Sequence, residues 1–261
     1  MIKRFFGDIK KYRHYIWYSS KAQLKSEVAG SHLGWLWWFL DPFFFMLVYT
    51  FIGLVVIDRN MQYFPCFVFI GLQSWNYFSK TLNSSIKAVR KNKSIIKKIY
   101  LPKEMLVVIL QMTNFIKMAI SYLIIVALMI VMRVPVDWHL LYAIPLMLEL
   151  TLFTFGLSSI FMHFGVYVED MSNIVAVILR LAFYLTGIFY DIMTKVPEPY
   201  CNIMALGNPI AYMIIELRNC IIYKGTPDPL FYFIWLGVSV LLCIIGVNLV
   251  YRNENNYAKS I

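Results

Sequence analysis

The chain has 261 residues, of which 60% are hydrophobic, 17% aromatic and only 15% charged, whereas a soluble domain is about 45 to 50% apolar and about a quarter charged. That composition excludes an ordinary soluble enzyme and describes a chain that resides in a bilayer. The net charge of +10 would suit nucleic acid, but reading bases requires a soluble basic surface; no such domain is present, so no nucleic-acid partner is expected.

In chain order, residues 1–34 are basic and amphipathic, carrying Lys3, Arg4, Lys10, Lys11, Arg13, Lys21 and Lys25. They hold no apolar stretch ending at small residues, so no cleavable signal peptide is expected and the first apolar run acts as the insertion signal. That run, 35–57, has one charge in 23 residues. At about 1.5 Å per residue it reaches about 34 Å, enough to cross about 30 Å of hydrocarbon. Its charge, Asp41, precedes Pro42. Proline removes a helix hydrogen bond, so the aspartate is expected at a kink, facing a conduit or a basic neighbour.

Five further runs follow, at 63–84, 105–132, 139–164, 174–193 and 230–251. None alternates polar and apolar residues as barrel strands do, so six helical spans are predicted. The second is the weakest, because Gln73, Asn76, Ser79, Lys80 and Asn83 make its second half polar. Lys117, Glu149 and Arg180 lie within the third, fourth and fifth, where each would cost at least about 2.5 kcal/mol facing lipid. Counted from the cytoplasmic ends, Lys117 and Glu149 match best in depth, at about 18 and 22 Å against about 9 Å for Arg180. An ion pair between Lys117 and Glu149 is predicted.

Short basic loops stay in the cytoplasm. Lys87, Arg90, Lys91, Lys93, Lys97, Lys98 and Lys103 fall between spans two and three, whereas the opposite side has only Arg59, Arg133, Lys195, Arg218 and Lys224. Both termini and segment 85–104 are therefore expected in the cytoplasm. In IKAVRKNKSIIKKIYLPKE (86–104), Ile86, Val89, Ile95, Ile96, Ile99 and Tyr100 form an apolar stripe among basic residues. This predicts a short helix along the membrane surface. It either rests among anionic headgroups or offers a face against which a partner pushes. Pro102 suits the first turn of the next helix, and Glu104 suits its positive end. The external loop, 190–229, sets five prolines between apolar pieces too short to span, which predicts re-entrant helices.

Much chemistry is missing. None of the twelve glycines is followed by lysine, so the chain has no P-loop and ATP is not bound by that route. There is no HExxH or GxSxG, and Glu169 and Asp170, adjacent on a helix, point about 100° apart, so no catalytic residue is nominated. Cys66, Cys201, Cys220 and Cys243 show no metal-ligand spacing with the four histidines, so no metal is expected. The spacing leaves a Cys201–Cys220 disulfide open.

Three stretches in order, LGWLWWFLDP (33–42), IIKKIYLPKE (95–104) and GNPIAYMIIELRN (207–219), resemble the membrane subunits of type-2 ABC exporters for bacterial surface polysaccharides: O-antigen, capsule or teichoic acid. The resemblance covers nearly the whole chain. It implies a non-enzymatic permease in the bacterial cytoplasmic membrane, an all-α integral membrane protein forming one transmembrane domain, 1–261. An interfacial helix amphipathic through Phe5, Phe6, Ile9, Tyr12, Ile16 and Trp17 would precede six spans, with short re-entrant helices before the last. It further implies a homodimer with the conduit between protomers, a separate ATPase that binds ATP and Mg, and a lipid-linked polysaccharide as cargo. Residues 86–101 would be the coupling helix, with Ile95, Ile96, Lys97, Lys98, Tyr100, Pro102 and Glu104 meeting or answering the ATPase. Lys21, Lys25 and His32 would admit the lipid-pyrophosphate end of the cargo.

Trp35, Trp38, Asp41, Phe45 and Tyr49 would line the conduit, although Trp35, Trp37 and Trp38 also read as a membrane-interface belt. Glu216 and Arg218 read as solvated loop charges or as an exit gate. The pattern departs from the family at Glu27 to Ala29, where a basic-aromatic-basic cluster is usual, at Asp41 in place of Asn, at Val168 to Asp170, and at Thr186 to Ile188. Two rival classes, a secondary transporter or channel and a membrane-embedded enzyme of lipid or glycan metabolism, lack their marks: paired broken halves for the first, convergent acid, base or metal groups for the second.

Overall fold

The structure, a computed structural model, describes residues 1–53 and 62–260, with side chains to 257. The end of the first apolar run and Arg59 lie outside the described residues. Among those described, the chain is all helix: α1 (Ile2–Val28), α2 (Trp37–Phe51), α3 (Phe64–Ile86), α4 (Ala88–Lys91), α5 (Lys93–Ile96), α6 (Glu104–Val131), α7 (Ala143–Tyr167), α8 (Met171–Leu185), α9 (Ile192–Lys195), α10 (Tyr200–Gly207), α11 (Pro209–Ile221) and α12 (Pro229–Ser260).

Among the described residues, three helical stretches are long and apolar enough to cross a membrane: Glu104–Val131, Trp138–Tyr167 and Pro229–Tyr257. The second joins a 3-10 turn, Trp138–Tyr142, to α7; Asp137 starts it by accepting from the Trp138 N–H at 2.7 Å. The fifth predicted run ends earlier than expected. It stops at Leu185 because Gly187 adopts φ +65, a left-handed conformation that a side chain would oppose. The 15 residues of α8 reach about 22 Å.

α7 is the central post, packed against α3, α8, α11 and α12. Its closest neighbour is α12, where Gly156 meets the backbone of Leu242 and Cys243 and a Cβ would have no room. Two apolar cores result. One gathers α3, α7 and α11 around Phe69, Leu146, Tyr212 and Leu217. The other, at the end that holds both termini, gathers Ile16 of α1, Val89, Ile96, Leu101 and Met105 with Val250, Tyr251 and Tyr257 of α12.

The predicted coupling helix 86–101 is broken. α4 and α5 are single turns separated at Asn92, whose side-chain amide donates to the Ala88 carbonyl at 2.8 Å and so competes with continued helix. In the 190–229 segment, α11 is largely buried and begins at Asn208, whose side chain accepts from the Ile210 and Ala211 N–H groups at 3.1 and 3.3 Å, with Pro209 in the first turn. All four cysteines are free thiols.

Candidate functional site

The polarity that weakened the second span has a geometric meaning. On α3, Gln73, Asn76, Lys80, Asn83 and, just beyond the helix, Lys87 recur every three or four residues and so share one face. α6 answers with Thr113, Asn114, Lys117 and Ser121. The two faces, with the end of α1 and the start of α8, enclose a groove of ≈ 720 Å³ whose wall carries Lys80, Lys87, Lys91 and Lys117 and one acid, Glu27. A smaller recess of ≈ 80 Å³ adjoins it, sharing Lys80, Asn114 and Lys117 and adding Trp37, Trp38 and Asp41 from α2.

Hydrogen bonds fix the groove's back wall. The Asn114 amide donates to Thr81 Oγ1 at 3.0 Å, and the Gln111 amide donates to Tyr77 Oη at 3.0 Å and to the Thr151 carbonyl at 2.6 Å. α1 forms the front edge and runs parallel to α6, rung by rung. Ser20 Oγ donates to the Ile109 carbonyl at 3.2 Å, Thr113 Oγ1 to Gln23 Oε1 at 3.0 Å, and Lys117 Nζ to both Glu27 oxygens at 2.8 and 2.7 Å.

That last contact corrects the predicted pair. Lys117 binds Glu27, not Glu149, and Glu149 is buried with neither carboxylate oxygen hydrogen-bonded. The reason is register and face. The Gln111–Thr151 contact aligns α6 with α7, which leaves Lys117 about 6 Å beyond the level of Glu149. Lys117 also shares the face of Thr113, which looks at α1.

The remaining charges sort themselves similarly. Arg180 is exposed on the outer face of α8 among Val177, Ile178, Leu181 and Tyr184. Lys21, Lys25 and His32 are exposed and line neither cavity; Lys21 Nζ rests 4.7 Å from the centre of the Trp17 ring. Trp38 and Asp41 line the recess, whereas Trp35 lies on an outer apolar surface beside Phe39 and Leu123. Phe45 is exposed and stacks on Tyr49, which in turn stacks on Phe189 with ring centres 3.8 Å apart. Glu216 and Arg218 are buried rather than solvated, which overturns the loop-charge alternative. Arg218 donates to three backbone carbonyls, of Phe67 at 3.0 Å, Gly187 at 2.9 Å and Ile188 at 2.8 Å.

At the terminal end, the 95–104 segment divides into an outer and an inner part. Ile95, Lys97, Lys98, Ile99 and Tyr100 are exposed, Ile99 at 51% and Tyr100 at 60%. Ile96, Pro102 and Glu104 are buried, and Glu104 accepts from Ser159 Oγ at 2.5 Å. Glu104 therefore anchors α6 on α7 and has no surface to offer a partner. Lys103 is folded back onto the Leu101 carbonyl at 3.1 Å, and burial lowers its ammonium below the ordinary value. A polar cluster that the sequence did not suggest ties this segment to both termini. Arg4 donates to Glu254 at 2.5 Å and to Tyr100 Oη at 2.6 Å, Tyr100 donates to Glu254 at 3.1 Å, and Tyr251 donates to Asp8 at 2.7 Å. Burial, then the Glu254 carboxylate, raises the Tyr100 phenol above its usual range.

A polar groove between helices is an arrangement suited to passage or binding. Residues 14–222 match the family described as ABC-2 type transporter. The chain belongs to that family. Among curated proteins, this ABC-2 chain is 27% identical over 259 residues, 99% of each chain, to the O-antigen export system permease protein RfbA of Myxococcus xanthus. It is 26% identical over 247 residues, 92% of each chain, to the protein of the same name from Klebsiella pneumoniae. The polysialic acid transport protein KpsM of Escherichia coli is 22% identical over 208 residues, 78% of this ABC-2 chain and 79% of KpsM.

Proposed function

We propose that this chain is the membrane subunit of an ATP-driven exporter that carries a lipid-linked surface polysaccharide, of O-antigen, capsule or teichoic-acid type, across the bacterial cytoplasmic membrane. The chain forms one transmembrane domain with six spans and both termini in the cytoplasm; α10 and α11 are its re-entrant helices. It works as a homodimer beside a separate ATPase that holds ATP and Mg. The observation that carries this reading is the continuous polar face of α3 and α6, which opens a hydrophilic groove inside an otherwise apolar helical body and suits a sugar chain that must not meet hydrocarbon. Membership of the ABC-2 family and relatives named for O-antigen export and polysialic acid transport support the cargo class.

Arg180 supports the second copy. An exposed guanidinium on the face of a span is costly against lipid, so the outer face of α8 borders a water-filled conduit or another protomer. The exposed Ile95, Lys97, Lys98, Ile99 and Tyr100 form the surface for the ATPase, and the buried Pro102 and Glu104 pass its movement to α6. In the groove, lysines draw an anionic cargo head; Asp41, Trp38, Phe45 and Tyr49 continue the path.

The test is reconstitution with its partner ABC ATPase in vesicles holding a labelled lipid-linked glycan. Export should require ATP and the ATPase, and Lys80→Gln with Lys117→Gln should lower it by about tenfold or more, the loss of two charge-assisted contacts, while the ATPase stays bound. Transport by the isolated chain without ATP, or labelling of Lys97 and Lys98 from outside the cell, would overturn the reading.

A further inference from the structure

The groove contains an anion site that the protein fills with its own carboxylate. Glu27, in the last turn of α1, places both oxygens on Lys117 Nζ at 2.7 and 2.8 Å, and it is the acid in a wall that also presents Lys80, Lys87 and Lys91. Among the described residues no hydrogen bond or ion pair engages the side chains of those three lysines. Within the groove wall one carboxylate therefore faces four ammonium groups; Asp41 adjoins Lys80 and Lys117 in the recess on one side, and Glu169, already paired with Arg90, adjoins Lys87 and Lys91 on the other, so positive charge remains in excess around the ≈ 720 Å³ cavity. A group with more negative charge and more acceptor oxygens is the better match.

The contact is also built to open. Lys117 is 20% and Glu27 46% exposed, and an ion pair that open to water is weak. Glu27 lies one residue from the end of α1, beyond which Gly30 takes φ +87 and Gly34 φ +52. Helix ends fray, so the last turn of α1, which holds Glu27 and is followed by these glycines, can unwind while the Ser20 and Gln23 rungs on α6 stay in place.

We infer that Glu27 is a displaceable occupant of a phosphate or pyrophosphate site formed by Lys117 with Lys80, Lys87 and Lys91, so that an arriving phosphoanion takes Lys117 and releases the end of α1. This rests on the reading that the groove admits the charged end of a cargo, and it does not require that cargo to be a glycan.

The test uses the full chain in nanodiscs of phosphatidylcholine, with inorganic pyrophosphate titrated by calorimetry. Glu27→Gln should raise pyrophosphate affinity by about tenfold, as expected when a competing carboxylate is removed. Adding Lys117→Gln should abolish that gain, and Lys10→Gln, an exposed lysine of α1 outside the groove, should leave it intact. If the amide variant does not fold, Glu27→Asp, whose shorter side chain retracts the carboxylate, should show a gain of the same sign. Unchanged or weaker binding in the folded variant, or a gain that survives Lys117→Gln, overturns the inference.

Acetylation of Lys117 in the Glu27→Gln protein then separates the sources. Protection by phosphatidylglycerol in the disc before any pyrophosphate is added points to a lipid headgroup. Protection that begins only with pyrophosphate points to a free phosphoanion, and protection by neither overturns the site. Pyrophosphate binding that behaves as expected while glycan export fails leaves this site standing and removes the polysaccharide reading. Export that proceeds while the Glu27→Gln gain is absent removes the displaceable carboxylate alone.

Discussion

Arg4 and Arg218 hold opposite ends of the molecule in different ways. Arg218 is buried, and its charge is met by the carbonyls of Phe67, Gly187 and Ile188, so α11, the start of α3 and the end of α8 are tied by groups that cannot exchange partners with water. Arg4 is 45% exposed and binds Glu254 and Tyr100, with Asp8 at 3.7 Å. Its contacts join α1, the 95–104 segment and α12, yet each can be replaced by solvent. One guanidinium pins, and the other can release and re-form. A transporter driven from one end needs that asymmetry: a fixed far end against which a mobile terminal end works.

The largest expected effect breaks the fixed end. Arg218→Met strands three buried carbonyls and should cost about 3 to 5 kcal/mol, read as lost thermal stability in detergent. Arg218→Lys should lose nearly as much, since a point charge cannot serve three diverging acceptors. Wild-type stability in the lysine variant would mean that charge alone holds this end. Next, Asn208→Ala removes the α11 cap and should cost about 1 kcal/mol.

At the mobile end, a double-mutant cycle with Arg4→Met and Glu254→Gln should give a coupling of about 1 kcal/mol or less, discounted for the exposure of Arg4. A coupling as large as the Arg218 effect would erase the contrast. The smallest effect is at Asp137. The Trp138 N–H, then His139, holds its carboxyl below the ordinary value. A lowered folded pKa contributes stability above the unfolded value of about 3.9, and this contribution is lost as the pH falls through the folded value. Asp137→Asn should therefore be slightly less stable than wild type at pH 7 and equal to it at the acid end of the titration.

The family and the helical class were legible because they rest on apolar run length and motif order. Helix pairing was not. Lys117 and Glu149 matched in depth counted from helix ends, but depth says nothing of azimuth, and only the Gln111–Thr151 contact sets the register between α6 and α7. The break at Asn92 reflects a local side-chain bond that competes with helix, and the stop at Leu185 was signalled by Gly187. The groove had a sequence signal that was read only as weakness. Gln73, Asn76, Lys80, Asn83 and Lys87 recur at 3, 4, 3 and 4 residues, which is a helical face. The Arg4 cluster joins positions up to 250 residues apart, and no local pattern announces such a contact.

The same stripe on α3 bears on how the chain is made. A lysine at the centre of a lone helix costs roughly 2.5 to 3.5 kcal/mol on insertion, and α3 carries Lys80 together with two asparagines and a glutamine. This helix is a poor candidate to leave the insertion machinery alone. Its partitioning depends on α2 and α6 being present to shelter the polar face, so biosynthesis is expected to hold α2, α3 and α6 together before releasing them into the bilayer.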